Sequence, residues 1–176
     1  MKKIIISIST IALLFLFGCA SKNAKYVEAG GARTIISTKK INMADWNNAA
    51  TALVNDMLAS NAIDKTKLKL PAKILVSRVV NRTSNMIDTD LLTTQICIAL
   101  QNSGKAIAIS TDPTTTSIQG AQVAQLTITG KIIEDRESNS DMDEVTYVFF
   151  LYLNWQGQSI WIGQKQIAKQ SEKGWF

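Results

Sequence analysis

Apolar residues recur at helical spacing in two segments of the chain. In residues 43–60 a stripe that starts at Trp46 returns every three or four positions, which predicts an amphipathic helix capped by Asn42. The second helix is predicted to begin after Asp88, a good N-cap, and to end at Gly104. The first stripe comprises Trp46, Ala49, Ala50, Leu53, Val54, Met57 and Leu58, and the second comprises Leu91, Leu92, Ile96, Ala99 and Leu100.

Between and after these helices, the pattern changes to one typical of β-strands. Residues 72–80 form a β-branched run that follows Pro71, and the last third of the chain alternates with a period of two. In residues 145–155 the second face also carries apolar side chains, namely those of Val148, Phe150 and Tyr152. The predicted strands are residues 33–38 at an edge, 72–80, 105–110, 125–133, 145–155 and 160–167.

The order of these elements predicts an α+β fold with a single mixed sheet and two main packed helices. The last three strands are expected to form an antiparallel meander with two hairpin turns. The acidic segment 134–144 is interpreted as a solvated hairpin tip, and Gly157-Gln158 as the second turn. Residues 111–122 are a polar connection without a strong period, and no internal repeat is evident.

The N-terminus has the pattern of a bacterial lipoprotein signal. Two lysines precede an apolar run of about 14 residues, which is shorter than the roughly 20 that a spanning helix needs. Leu16-Phe17-Gly18-Cys19 then resembles a lipobox, in which Cys19 is acylated and becomes the new N-terminus. We therefore expect residues 1–18 to be the signal peptide, 19–34 a short flexible tether and 35–176 the globular domain.

Removal of residues 1–18 also changes the charge of the chain. The full sequence has 19 basic and 14 acidic side chains, and the signal peptide accounts for two of the lysines. The mature chain would carry a charge of only +3, and it contains no block of five or more like charges. Nucleic acid is therefore not expected as a partner.

The composition excludes several classes of enzyme. The chain has no histidine, which removes Ser-His-Asp and Cys-His catalysis and histidine-ligated zinc. Cys97 lies among apolar residues and is interpreted as a small buried hydrophobe. The acidic segment 134–144 lacks the spacing of a calcium loop. We therefore expect no catalytic residue, no cofactor, no metal site and no small-molecule substrate.

Several short motifs resemble the LpoB family of penicillin-binding protein activator lipoproteins. They are "STKKINMADWNNAA", "VSR" followed by "NRT", "IDTDLL", "IALQNSGK" and "LTITGKI", and they occur in the family's order. The resemblance covers about residues 35–167. Ala20 after the lipidated cysteine also resembles the signal for retention in the outer membrane.

This resemblance implies a non-enzymatic function. Family members are anchored in the outer membrane, face the periplasm and stimulate a bifunctional, class A penicillin-binding protein that synthesises peptidoglycan. The expected partner contacts are Arg82, in a loop at the end of the sheet, and Tyr152, on the second apolar face. That face is expected either to be covered by a helix or to bind the partner. The tether departs from the family, because it is short and lacks proline, with a reach of about 50 Å.

Two other functions are also compatible with the sequence. The first is a structural or assembly lipoprotein of the outer membrane that is related to the core of the curli-secretion lipoproteins. The second is an enzyme that cleaves peptidoglycan with a pair of carboxylates.

Overall fold

The computed structural model describes residues 27–28, 31, 41–110 and 124–173, and it contains helices and strands in two of these ranges. The predicted α+β class is confirmed, with two α-helices and one mixed sheet of six strands in the described residues. The helices are α1 (Met43–Ala59) and α2 (Thr89–Asn102), and a short 3₁₀ helix spans Asp64–Thr66. The strands are β1 (Ala72–Val76), β2 (Val80–Arg82), β3 (Ala106–Ser110), β4 (Leu126–Ser138), β5 (Met142–Trp155) and β6 (Gln158–Glu172).

The sheet has the order β3-β1-β4-β5-β6, and β2 pairs with β4 beyond the end of β1. β1 runs parallel to both β3 and β4, whereas β4, β5 and β6 form the predicted antiparallel meander. The strands of the meander have 13 to 15 residues and are much longer than β1, β2 and β3.

Both helices pack on the same face of the sheet, which we call the inner face. On α1, Trp46 meets the rings of Tyr147 and Phe149 edge-on, with centroid distances of 5.8 and 6.3 Å. Leu92, Ile96 and Leu100 of α2 belong to the same fully buried core. Alternation along β4 and β5 is as predicted, since Leu126, Ile128, Ile132, Phe149, Leu151 and Leu153 are all buried.

β6 is held to α1 by two ion pairs and by close packing. Lys165 lies 3.1 Å from Asp56, and Lys169 lies 3.5 Å from Asp45. Two residues before Lys165, Gly163 is covered by the indole ring of Trp161, and a Cβ at that position would collide with the ring. Glycine is therefore required there by packing, not by backbone conformation.

The predicted single strand 72–80 is wrong, because the structure divides it into β1 and β2. Val76 pairs with Ile128 but Val80 pairs with Lys131, so the segment between them contains one extra residue. This β-bulge reverses the alternation and places Val79 in the core while Val80 points outward. An uninterrupted strand would have directed Val80 inward.

Thr93 of α2, which lies outside the predicted apolar stripe, forms a hydrogen bond with the backbone at this bulge. Its hydroxyl accepts a hydrogen bond from the Val79 amide at 3.3 Å and donates one to the Thr89 carbonyl at 2.7 Å. Thr93 is buried, whereas Leu91, which the stripe predicted as a core residue, is 38% exposed. The apolar stripe of α2 is therefore rotated from its predicted position. The predicted caps are confirmed, because Asn42 and Asp88 accept hydrogen bonds from Asp45 and Leu91.

The acidic segment 134–144 is mostly strand, so its interpretation as a hairpin tip is wrong for most of its length. The turn contains only residues 139–141, and the Asn139 side chain accepts hydrogen bonds from the amides of Asp141 and Met142. The second turn lies one residue earlier than predicted, at Gln156 and Gly157. Both have positive φ, as a two-residue hairpin turn requires.

Four predictions fall on residues outside the described ranges. They concern the signal peptide, the lipidation of Cys19, the edge strand at 33–38 and the connection at 111–122.

Candidate partner-binding surface

The face of the sheet opposite the helices, which we call the outer face, presents apolar side chains from several strands. Val80 is 50% exposed on β2, Ile107 is 42% exposed on β3, and Ile162 is 60% exposed on β6. Between them Val148, Phe150 and Tyr152 are half-buried on β5. Neither α1 nor α2 covers this face, since both pack on the inner face. The face that contains Tyr152 was expected either to be covered by a helix or to bind the partner. Neither of these two helices covers it.

A cation lies over two aromatic rings in the middle of the outer face. The rings of Phe150 and Tyr152 are stacked, with centroids 6.4 Å apart and an interplanar angle of 23°. The ammonium group of Lys131 lies 5.1 Å from the Phe150 centroid and 5.8 Å from that of Tyr152. Such an arrangement holds the rings in one orientation and gives the surface a positive charge.

Arg82 was predicted to lie in a loop, but it is the last residue of β2, where its pairing with β4 places it on the same face as Tyr152. The Cα register runs from Arg82 to Ile133 on β4 and then to Val148 on β5, four residues from Tyr152. Two strand spacings and four residues along the strand place the two Cα atoms roughly 16 Å apart. Arg82 is exposed and has no ion pair among the described residues. One protein surface could therefore contact both side chains.

The loop that follows Arg82, residues 83–87, is held by hydrogen bonds of its own side chains. Asn81 donates to the Asn85 carbonyl at 2.8 Å and accepts from the Thr83 amide at 3.0 Å. The Thr83 hydroxyl also contacts Asn85, through both the carbonyl and the amide of that residue. Asn81, in β2, and Thr83 thus fix the turn of this loop through their side chains.

The loop is also attached to the inner face of the meander. The Asn85 side-chain amide donates to the hydroxyl of Tyr147, and Arg136 donates to the Ser84 hydroxyl at 3.0 Å. Arg136 is in turn bound to Glu134 at 3.0 Å. Burial raises the pKa of the Glu134 carboxyl, but hydrogen bonds from Arg136 and Ser84 lower it by more, so this pKa lies below its ordinary value. Glu134 is therefore a charged anchor for the loop at neutral pH.

Cys97 and the acidic residues were the candidates for catalysis or metal binding, and the described residues do not form such a site. Cys97 is half-buried on α2, and burial raises the pKa of its thiol to about 11, which opposes formation of the nucleophilic thiolate. Within the ranges that the structure describes, no group of three or more potential metal ligands occurs. The described helices also include none that is long and apolar enough to cross a membrane.

Sequence reasoning missed two residues at this surface. The position of Lys131 over two rings depends on the pairing of β4 with β5. The nearly complete exposure of Met86 depends on the conformation of the loop, which is fixed by hydrogen bonds to Asn85. Neither has a signal in the linear sequence.

One family model matches part of the chain. The family model described as peptidoglycan-synthase activator LpoB matches residues 45–123. The search of curated proteins found no match.

Among solved structures, the chain is similar to the LpoB C-terminal domains from Salmonella enterica and Escherichia coli. Each has a TM-score of 0.46 and 23% identity, with 70% of this chain and 98% of that domain covered. A PelC dodecamer from Paraburkholderia phytofirmans matches with a TM-score of 0.42 and 17% identity, over 58% of this chain and 76% of its own.

Proposed function

We infer from the match of residues 45–123 that this chain belongs to the LpoB family, and we propose that it is an outer-membrane lipoprotein that binds and activates a class A penicillin-binding protein. Activation would be non-enzymatic and would increase peptidoglycan synthesis by the bound enzyme. The family match is the observation that carries this proposal, because its description is that of an activator of a peptidoglycan synthase.

The anchor in this proposal is Cys19. Acyl chains on its new N-terminus would hold the domain at the membrane, since two or more chains bind a bilayer far more firmly than one. The signal-peptide pattern of residues 1–18 supports this part of the proposal. In fractionated cells, wild-type protein is expected with the outer membrane, and Cys19→Ser protein is expected in the soluble fraction or as an uncleaved precursor.

The partner contact in this proposal is the outer face. The outer face combines exposed apolar side chains on several strands, a cation over two stacked rings and the exposed charge of Arg82. These are features of protein interfaces, in which aromatic residues and arginine are enriched. Tyr152 and Arg82 would contact the synthase together.

The proposal is tested with the purified lipoprotein and the class A penicillin-binding protein of the same organism. We expect the two to co-purify and the rate of glycan polymerisation to rise when the lipoprotein is added. Tyr152→Ala and Arg82→Glu should each weaken binding by about tenfold, the scale expected of a central interface residue.

Lys65→Glu is the matched control for the charge reversal, because Lys65 is exposed on the 3₁₀ helix and not on the outer face. This variant should bind like wild type. If wild-type protein neither binds nor stimulates the synthase, the proposed function is wrong.

A further inference from the structure

Met86 is the most exposed large apolar side chain in the described part of the protein. It is 99% exposed, whereas Ile162, the next in order, is 60% exposed. Its neighbour Ile87 packs against the core, so the chain turns inward immediately after Met86. Met86 therefore projects from the surface as a single apolar residue.

The backbone on both sides of Met86 is fixed. Asn85 is bound through its carbonyl to Asn81 and Thr83, and through its side chain to Tyr147. Ile87 is held by its contact with the core. Because the backbone is already fixed, binding of Met86 would order only its side chain and would cost little backbone entropy, which is the advantage of a preorganised contact.

A positive charge accompanies this apolar side chain. Arg82 and Met86 directly follow Asn81 and Asn85, which the 2.8 Å hydrogen bond joins across the loop. Their backbones must therefore lie close together. Arg82 is exposed and forms no ion pair in the part of the chain that the structure describes. The surface next to Met86 is thus suited to carboxylates.

We propose that Met86 is an anchor that inserts into an apolar pocket of the partner protein, and that this pocket is bordered by acidic side chains that face Arg82. This inference rests on the proposed function, because it assigns the pocket to the peptidoglycan synthase. Methionine fits irregular apolar pockets well, since its side chain is unbranched and flexible.

A pocket in a protein accounts for these features better than a bilayer does. Insertion into a membrane surface requires a large apolar area, usually from several side chains of an amphipathic segment. The loop offers one such side chain, and the residues around it in "TSNMID" are mostly polar. The fixed backbone also favours a partner of defined shape.

The experiment measures the dissociation constant between the lipidated full-length protein and the purified class A penicillin-binding protein, with Met86→Asp and Met86→Leu variants. Met86→Asp places a charge in the apolar pocket, so we expect binding at least tenfold weaker. Met86→Leu keeps an apolar side chain of similar size and should bind within threefold of wild type.

Ile98→Asp is the matched control. Ile98 is 42% exposed on α2, outside the loop, and its variant should bind like wild type. Melting temperatures should be equal for wild type and Met86→Asp, because the side chain has almost no contacts to lose.

Each other outcome overturns the inference. If wild type and Met86→Asp bind the synthase equally, Met86 is not an anchor, although the proposed function stands. If wild type does not bind at all, both fall. If Met86→Asp instead weakens binding of the Cys19→Ser protein to anionic phospholipid vesicles, the occupant is a membrane and not a protein pocket.

Discussion

Several residues owe their positions to polar groups that a hydrophobic pattern does not reveal. Thr93 is buried because its hydroxyl binds the Val79 amide, which the β-bulge has removed from the sheet. Asn81 fixes the loop that carries Met86. Cys97 was predicted to be a buried hydrophobe and is half-buried in the structure. At this scale, the sequence predicts apolar core residues well and polar partners poorly, because a hydrogen bond depends on two residues distant in sequence.

We predict that Cys97 reacts slowly in the folded protein. Its thiol pKa is raised from 9.0 to about 11, so at pH 8 the thiolate fraction should be roughly 100-fold lower than in the unfolded chain. The measurement is the rate of reaction with an aromatic disulfide reagent in a Cys19→Ser variant, with and without denaturant. Equal rates in the two conditions would contradict the structure.

The same shift has a consequence for stability at high pH. Between pH 9 and 11 the unfolded chain loses the Cys97 proton while the folded protein retains it, so stability should fall as the pH rises through this interval. A Cys97→Ala variant in the same Cys19→Ser background is the control and should show a weaker decline.

At the scale of elements, features encoded by neighbouring residues were predicted correctly, whereas features that depend on the pairing of distant strands were not. Both helix caps, the end of α2 near Gly104 and the meander were predictable, since capping and alternation are encoded within a few residues. The bulge between β1 and β2 was not predictable, because it is defined by the register of both strands on β4. The acidic segment 134–144 was predicted to be a turn because it is highly charged. In the structure β4 and β5 continue through most of it, and their ends are exposed to solvent.

We predict that the N-cap of α2 contributes measurably to stability. Asp88 accepts a hydrogen bond from the Leu91 amide at 2.9 Å, and Asp88→Ala should lower the free energy of unfolding by about 1 kcal/mol. Asp90→Ala is the matched control, because Asp90 forms an exposed ion pair with Arg78. It should cost less than about half as much. Denaturant unfolding measures both, and equal effects would show that the cap is not the cause.

At the scale of the whole molecule, the described chain enters the domain at the same end as the loop of residues 83–87. Asp45, in the first turn of α1, contacts Lys169, and Trp46 contacts Tyr147, to which Asn85 is bound. The outer face was predicted only in part. The alternating pattern of β5 was evident from the sequence. That β2 and β3 contribute side chains to the same face depends on the topology of the sheet.

Because of this shared end, we predict that the proposed tether sets the distance at which the loop can bind. Deletion of residues 22–31 would shorten a fully extended tether by about 35 Å, most of its reach. We expect the deletion to reduce stimulation of the synthase in cells while the purified variant still binds in solution. Replacement of the same ten residues by a glycine-serine segment is the control and should retain function. Full function after deletion would show that the tether length is not limiting.

The turn at Gln156 and Gly157 lies at the other end of the meander. Lys169 lies eleven positions after Gln158 on β6, which corresponds to about 36 Å along the strand. Both turn residues are exposed, and neither belongs to the outer-face contacts or to the loop. A fluorescent protein inserted between them would therefore stand well away from the loop of residues 83–87 and from the proposed tether, and would report the position of the domain in living cells.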